Sequence, residues 1–74
     1  MDWFILKCGE SPTSEYNYTK VDNEPSCTGK ISICSVRAYA NEHNQPILTT
    51  ELKSEMIRAL LRRRDTEHVR LHNC

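Results

Sequence analysis

The chain has 74 residues and four cysteines, and its ten basic and ten acidic side chains give a formal net charge of zero. A chain of this length forms one domain with a small core, which needs disulfides, a metal or a partner chain for stability. The zero net charge argues against nucleic-acid binding, and no apolar run is long enough to span a membrane. We therefore expect a single small disulfide-stabilised domain over residues 1–74.

Two strands are predicted in the N-terminal third of the chain. Trp3–Leu6 is bulky and aromatic without polar alternation, which is typical of a strand that is partly covered on both faces. Gly9–Ser14 contains Gly, Pro and Ser and indicates a surface loop. Tyr16–Val21 alternates more weakly and predicts a second strand, at the edge of a sheet.

The stretch Cys27–Ala40 contains two of the four cysteines and the clearest strand pattern. From Ile31 onward its residues divide by parity into two faces. We expect the small apolar face to pack beneath a helix: Cys34, Val36, Ala38 and Ala40. The other face is mixed and is expected to be partly solvated: Ile31, Ile33, Ser35, Arg37 and Tyr39.

A helix is predicted from about Thr50 to Arg63, with Thr49 or Thr50 as its N-cap. Its apolar positions recur at helical spacing and form one stripe: Leu52, Met56, Ala59 and Leu60, flanked by Ile57. Leu61 falls roughly opposite this stripe and lies beside the arginines, so it is a candidate for a contact surface.

A short terminal strand, His68–His72, is predicted after the helix, with Val69 and Leu71 facing the core. Together these elements predict the α+β class: a small antiparallel sheet of three to four strands, with one helix packed across it and stapled by disulfides.

The four cysteines allow three disulfide pairings. Cys27 and Cys34 are close in sequence with Gly29 between them to help the chain turn, so we pair them, which leaves Cys8 with Cys74. In the chain-entropy model the short loop contributes about 2–3 kcal/mol and the long loop about 4–5 kcal/mol. Disulfides indicate a secreted, periplasmic or cell-surface protein, and we expect a mature chain whose signal peptide was removed and replaced by Met1.

A zinc site is the alternative use of these cysteines. His68, His72 and Cys74, with Cys27 and Cys34, would offer enough thiolates and imidazoles for tetrahedral zinc. The spacing argues against it, because no Cys-x-x-Cys pair exists and two histidines four residues apart on a strand lie about 13 Å from each other. We expect no metal and no other cofactor.

The run Arg62-Arg63-Arg64 could bind phosphate or an acidic partner. We favour the structural explanation, a helix end whose cations satisfy the macrodipole, with Asp65 and Glu67 pairing locally. The sequence has no Gly-rich phosphate loop, no nucleophile-elbow pattern and no carboxylate pair with a reason to be buried, so we do not expect an enzyme.

Several short motifs follow one another across nearly the whole chain: Trp3-Phe4, Gly9-x-x-Pro12, Tyr18, Pro25-x-Cys27, Ile33-Cys34-x-x-x-Ala38, Pro46-Ile47, Leu52-x-x-Glu55-x-x-x-Ala59-Leu60 and Val69-x-Leu71. In this order and spacing the chain resembles a group of small, uncharacterised exported proteins of Bacteroidetes that carry a signal peptide. The resemblance implies export and a Cys27–Cys34 disulfide, and it implies no activity. The chain departs from the group in lacking a signal peptide, in having Cys8 and Cys74, and in its arginine triplet.

The leading hypothesis is a non-enzymatic exported domain that acts through contacts with another protein, as an accessory subunit of a cell-surface or secretion assembly or as a free factor. The candidate contact residues are aromatic or lie at the basic helix end: Trp3, Phe4, Tyr16, Tyr18, Leu61, Arg62, Arg63 and Arg64. The alternatives are a secreted antimicrobial or toxin-like peptide, against which the zero net charge argues, and a cytosolic zinc-binding module.

Overall fold

Four strands form one antiparallel sheet in the computed structural model, which describes residues 1–74. The strands are β1 (Asp2–Leu6), β2 (Tyr18–Val21), β3 (Ser32–Ala38) and β4 (Val69–His72). Their order in the sheet is β2-β1-β3-β4, so the two longest strands lie at the centre and pair with each other. One helix packs on the sheet, and the predicted α+β class is confirmed.

The helix, α1 (Thr50–Arg62), begins and ends within one residue of its predicted bounds. Thr49 is the N-cap, and its hydroxyl oxygen accepts a hydrogen bond from the Leu52 backbone N–H at 3.1 Å. Arg63 ends the helix in the left-handed conformation, with φ of 54°, and the Arg64 N–H donates to the Ala59 carbonyl oxygen at 3.2 Å. The chain thus turns away from the helix axis before β4.

Eleven buried side chains from the helix and all four strands form one apolar core: Phe4, Leu6, Tyr18, Ile33, Val36, Ala38, Leu52, Met56, Ala59, Val69 and Leu71. The predicted helical stripe is confirmed at its centre, and Leu60 is half-buried at its margin. We call the side of the sheet that packs on α1 the core face. We call the opposite side the loop face, because the segment 22–31 contacts it.

The parity prediction for β3 is wrong at Ile33 and Cys34, and Ser35, which was expected to be partly solvated, is 0% exposed. Ile33 pairs with Leu71 and Ser35 pairs with Arg70, so the register of β3 against β4 shifts by one residue between them. Two residues of β3 therefore oppose one of β4, which is a β-bulge, and Cys34 is the extra residue. Ile33 consequently lies in the core rather than on the mixed face, and Cys34 is not among the core side chains.

The predicted second strand is shorter than expected. Residues Glu15–Asn17 form a turn of 3-10 helix, and β2 begins only at Tyr18. Local hydrogen bonds favour the turn, because the Asn17 side-chain amide donates to the Ser11 carbonyl oxygen at 3.1 Å and the Asn17 N–H donates to the Ser14 carbonyl oxygen. Tyr16 therefore lies outside the sheet.

Both predicted disulfides are present, and no cysteine is free. The Cα atoms are 6.2 Å apart in Cys27–Cys34 and 5.5 Å apart in Cys8–Cys74. Gly29, inside the shorter loop, packs directly on the backbone of the terminal segment: a Cβ at this position would lie 2.4 Å from the Asn73 backbone nitrogen. Gly29 therefore permits a close approach between two distant parts of the chain, besides helping the chain turn.

Candidate contact surface

The aromatic residues that were candidates for partner contact divide between the core and the surface. Phe4 is 0% exposed, and Tyr18 is buried with its hydroxyl donating to the Pro12 carbonyl oxygen at 2.8 Å and lying 3.8 Å from the Met56 sulfur. Burial also raises the pKa of the Tyr18 hydroxyl. Neither side chain can contact a partner of the folded protein, so both leave the candidate set.

Trp3 and Tyr16 stay outside the core. Tyr16 is 76% exposed in the turn before β2. Trp3 lies on the loop face, where the guanidinium carbon of Arg70 is 5.0 Å from the centroid of its ring and Arg70 Nη2 donates to Glu24 Oε1 at 3.0 Å. Because Trp3 is half-buried and already stacked, its contacts serve the fold of this face, and Tyr16 is the more accessible aromatic.

The outward side of α1 has the most continuous exposed apolar surface among the predicted contacts. Leu61 is 78% exposed and Ile57 is 58% exposed, and their spacing of four residues places them side by side on the helix. Arg58 and Arg62 follow them in sequence and are exposed. We define these four side chains as the outer helix patch.

The arginines of this region have no acidic partner. The structure contains four ion pairs, and none of them includes Arg58, Arg62, Arg63 or Arg64. The expected local pairing by Asp65 and Glu67 is therefore wrong. The Asp65 carboxylate instead accepts a hydrogen bond from the Leu71 N–H at 2.9 Å, at the outer edge of β4.

Glu55 and His68 form a polar contact that the sequence did not reveal. The Glu55 carboxylate accepts hydrogen bonds from the Thr66 hydroxyl and from the His68 backbone N–H, and His68 Nδ1 lies 3.0 Å from Glu55 Oε1. Burial alone would raise the pKa of the Glu55 carboxyl, but these hydrogen bonds and the nearby imidazole outweigh it and hold the pKa below its usual value. The contact ties α1 to the chain just before β4.

A cleft beside this pair is lined by both apolar and polar side chains. It has a volume of about 190 Å³, and its walls include Tyr39, Ile47, Leu52, Glu55 and His68. Ligand sites for drug-sized molecules are typically about 300–1,000 Å³. The imidazole has an orienting carboxylate, but the one serine, threonine or cysteine that lines the cleft is Thr49, whose hydroxyl caps α1, so the geometry does not form a nucleophile-base pair.

The metal set considered from the sequence is not brought together. The histidine and cysteine side chains that do meet are Cys8, His72 and Cys74, whose potential ligand atoms lie within 4.8 Å of one another. Both cysteines of this group are bonded to each other.

The fold and these surfaces define a small disulfide-stabilised α+β domain with an exposed apolar and basic helix side. The sole helix lacks the length and the apolarity needed to cross a lipid bilayer. No protein-family model matches the chain, and no curated protein or solved structure is significantly similar to it. The resemblance to the exported proteins of Bacteroidetes therefore stays a prediction.

Proposed function

We propose that this protein is a non-enzymatic domain that acts outside the cytoplasm by binding another protein through the outer helix patch. The observation that carries the proposal is the pair Ile57 and Leu61, which are exposed side by side next to Arg58 and Arg62, and neither arginine forms an ion pair. Exposed aliphatic side chains at adjacent helical positions are the anchors that a partner's groove buries.

The charge around the pair specifies the chemistry of the partner. Arg58 and Arg62 flank the two aliphatic residues, and Lys53 lies one turn before Ile57 on the same side of the helix. A partner with an apolar groove and acidic side chains along its rim would bury Ile57 and Leu61 and pair with these cations. Arginine is also enriched among the residues that dominate binding energies, because its planar guanidinium forms paired hydrogen bonds with carboxylates.

Two features support a location outside the cytoplasm. Disulfides form and persist mainly where the environment is oxidising, and a core of only eleven side chains is typical of the small domains that such bonds stabilise. We propose a secreted, periplasmic or cell-surface protein, such as an accessory subunit of a cell-surface or secretion assembly. The source organism is proposed to be bacterial, on the resemblance alone.

The test is co-purification of the protein from its native source, with the partner identified by mass spectrometry and its affinity then measured. Leu61→Asp should weaken binding at least tenfold, because it places a carboxylate in the apolar contact, while leaving the circular dichroism spectrum unchanged. The matched control is Ile31→Asp, since Ile31 is also an exposed aliphatic residue but lies outside the outer helix patch. Equal affinity of Leu61→Asp and wild type would place the contact elsewhere.

The two other functions have decisive tests of their own. A toxin-like peptide would inhibit growth of related bacteria, and the zero formal net charge argues against it. A cytosolic zinc module would be purified with both disulfides open, at the full reduced mass and with stoichiometric zinc. The oxidised protein is lighter by about 4 Da, because each of two disulfides removes two hydrogens.

A further inference from the structure

The topology of the sheet brings the carboxyl ends of β1 and β4 to the same end of the sheet. Each of these strands is antiparallel to β3, so β1 and β4 run in the same direction. They end at the same level of the sheet, on either side of β3. Cys8 lies two residues after β1, His72 is the last residue of β4, and Cys74 lies two residues further on. Two cysteine sulfurs and one imidazole nitrogen thereby lie within 4.8 Å of one another.

The imidazole in this group has an unmet hydrogen-bonding capacity. His72 Nε2 is buried and has no hydrogen-bond partner, the only buried side-chain nitrogen or oxygen in the protein of which this is true. A buried polar atom without a partner costs about 1–3 kcal/mol, so such an atom requires an explanation. A metal ion is one partner that an imidazole takes, through either of its ring nitrogens.

We propose that opening of the Cys8–Cys74 disulfide converts this end of the sheet into a zinc site with Cys8, His72 and Cys74 as ligands. A dithiol reductant supplies two electrons and two hydrogens, the S–S bond breaks to give two thiols, and the reductant becomes a disulfide. Zn²⁺ then displaces one proton from each thiol and binds two thiolates and the neutral imidazole. A water molecule completes the tetrahedron.

The dimensions suit this ion. Two Zn–S bonds of about 2.3 Å at a tetrahedral angle place the sulfurs about 3.8 Å apart, and the three ligand atoms already lie within 4.8 Å. Two thiolates and an imidazole form a soft ligand set that favours Zn²⁺ over Mg²⁺ or Ca²⁺, which prefer oxygen ligands. Once the covalent bond is broken, the two sulfurs have to move apart to about 3.8 Å to bind the ion.

The terminal segment is held in place by contacts other than the disulfide. The Ile31 N–H donates to the His72 carbonyl oxygen at 3.0 Å, and the Lys30 N–H donates to Asn73 Oδ1 at 3.1 Å. The Ser32 hydroxyl donates to the Cys74 carbonyl oxygen at 3.3 Å. These bonds keep His72 and Cys74 near Cys8 after reduction, so the ligand set remains assembled.

The two disulfides differ in access, which makes the site selective. Cys8 and Cys74 are both exposed, whereas Cys34 is buried and Cys27 half-buried. A mild reductant therefore reaches Cys8–Cys74 first, and the Cys27–Cys34 bond continues to hold the loop to β3. The zinc site thus requires opening only the terminal disulfide.

The test begins with graded reduction of the protein by a phosphine under nitrogen. The phosphine takes oxygen from water and becomes the phosphine oxide, and the two protons of that water go to the two sulfurs. Alkylation and peptide mapping identify the protein in which only Cys8 and Cys74 are open. Titration with Co²⁺, a spectroscopic substitute for Zn²⁺, should then give thiolate charge-transfer and tetrahedral absorption bands at one equivalent, and Zn²⁺ should abolish them. The oxidised protein should show none.

Two variants separate this site from non-specific thiolate binding. His72→Ala should weaken Co²⁺ binding at least about tenfold, whereas His43→Ala, in an exposed loop, should bind as wild type does. Because replacement of a half-buried histidine can disturb folding, the ring nitrogens of wild-type protein are also observed by NMR, where Zn²⁺ should shift His72 and leave His43 and His68 unmoved. Absence of binding after selective reduction, unchanged affinity in a folded His72→Ala protein, or an unmoved His72 signal would each overturn the proposal.

Discussion

The two faces of the sheet are held by different physical means. The core face is covered by α1 through apolar contacts, with side chains from all four strands in one cluster. The loop face is contacted by the segment 22–31 through a covalent bond and an ion pair, at Cys27–Cys34 and Glu24–Arg70, and the same segment packs on the backbone that follows β4, at Gly29–Asn73. The difference teaches that a short chain can stabilise one face of its sheet by burial and the other by a few specific bonds.

The largest effect is expected on the core face, from Phe4→Ala. Phe4 is 0% exposed and pairs with Val36 at the centre of the sheet, so truncation leaves a cavity that the surrounding side chains cannot fill. We expect the free energy of unfolding to fall by about 3–5 kcal/mol, measured by urea denaturation. Phe4→Leu is the matched control and should cost less than half as much. A loss below about 1 kcal/mol for Phe4→Ala would mean that burial does not dominate this face.

The corresponding change in the segment 22–31 is Gly29→Ala. Its Cβ would lie 2.4 Å from the Asn73 nitrogen, which is backbone, and the φ of 139° disfavours any side chain. We expect a loss of about 2–3 kcal/mol, comparable to other changes that strain a special backbone position. The control is Gly9→Ala, where φ is also positive, at 84°, but no atom lies within 4 Å, so the loss should be about 1 kcal/mol. Equal losses would show that conformation alone matters and that the contact with Asn73 does not.

The sequence predicted the core face well because periodicity reports burial directly. Leu52, Met56 and Ala59 recur at helical spacing, and Val69 and Leu71 at strand spacing, and all five are buried. The disulfide pairing was also predictable, since a cysteine pair seven residues apart leaves only one partner for Cys8. Both inferences depend on local order in the chain.

The remaining features depend on contacts between distant residues, which local patterns do not contain. Ile33 and Cys34 are both apolar, so alternation fits either face, and only the pairing with β4 locates the bulge. The aromatic character of Phe4 and Tyr18 predicts contact residues and core residues equally well, because aromatic side chains suit a core and an interface alike. Cys8 and His72 lie close together because β1 and β4 run in the same direction. The Cys8–Cys74 disulfide and an antiparallel sheet, both of which the sequence predicts, together imply this contact.

The next largest effect is expected at Glu55, which links α1 to the chain before β4, and this effect on the free energy of unfolding depends on pH. Because the hydrogen bonds in the folded state hold the pKa of Glu55 below 4.5, its contribution to stability is complete above the unfolded value of 4.5 and is lost as pH falls through the folded value. Glu55→Gln should lower the free energy of unfolding by about 1–2 kcal/mol at neutral pH. The difference from wild type should shrink below pH 4.5, as denaturation at a series of pH values would show.

The matched control is Glu51→Gln, an exposed carboxylate in the first turn of the same helix. This substitution tests whether charge near the helix N-terminus accounts for the effect. It should lower the free energy of unfolding by no more than about 0.5 kcal/mol. An equal loss in both variants would assign the effect to the helix macrodipole and not to the contacts with Thr66 and His68.

The smallest effect is expected at Arg70, where the loop face is held by polar contacts. The Arg70 guanidinium stacks on Trp3, pairs with Glu24 and donates to the backbone carbonyl oxygen of Thr66, and its side chain is only 24% exposed. Arg70→Gln should lower the free energy of unfolding by about 1 kcal/mol, since a partly exposed ion pair and a cation–π contact each contribute little. Glu24→Gln, which keeps the stacking, should cost less than half of this. If a double-mutant cycle of Arg70→Gln with Trp3→Leu gives no coupling energy, the stacking does not stabilise the face, and the Cys27–Cys34 bond and the Gly29 contact hold the segment 22–31 without it.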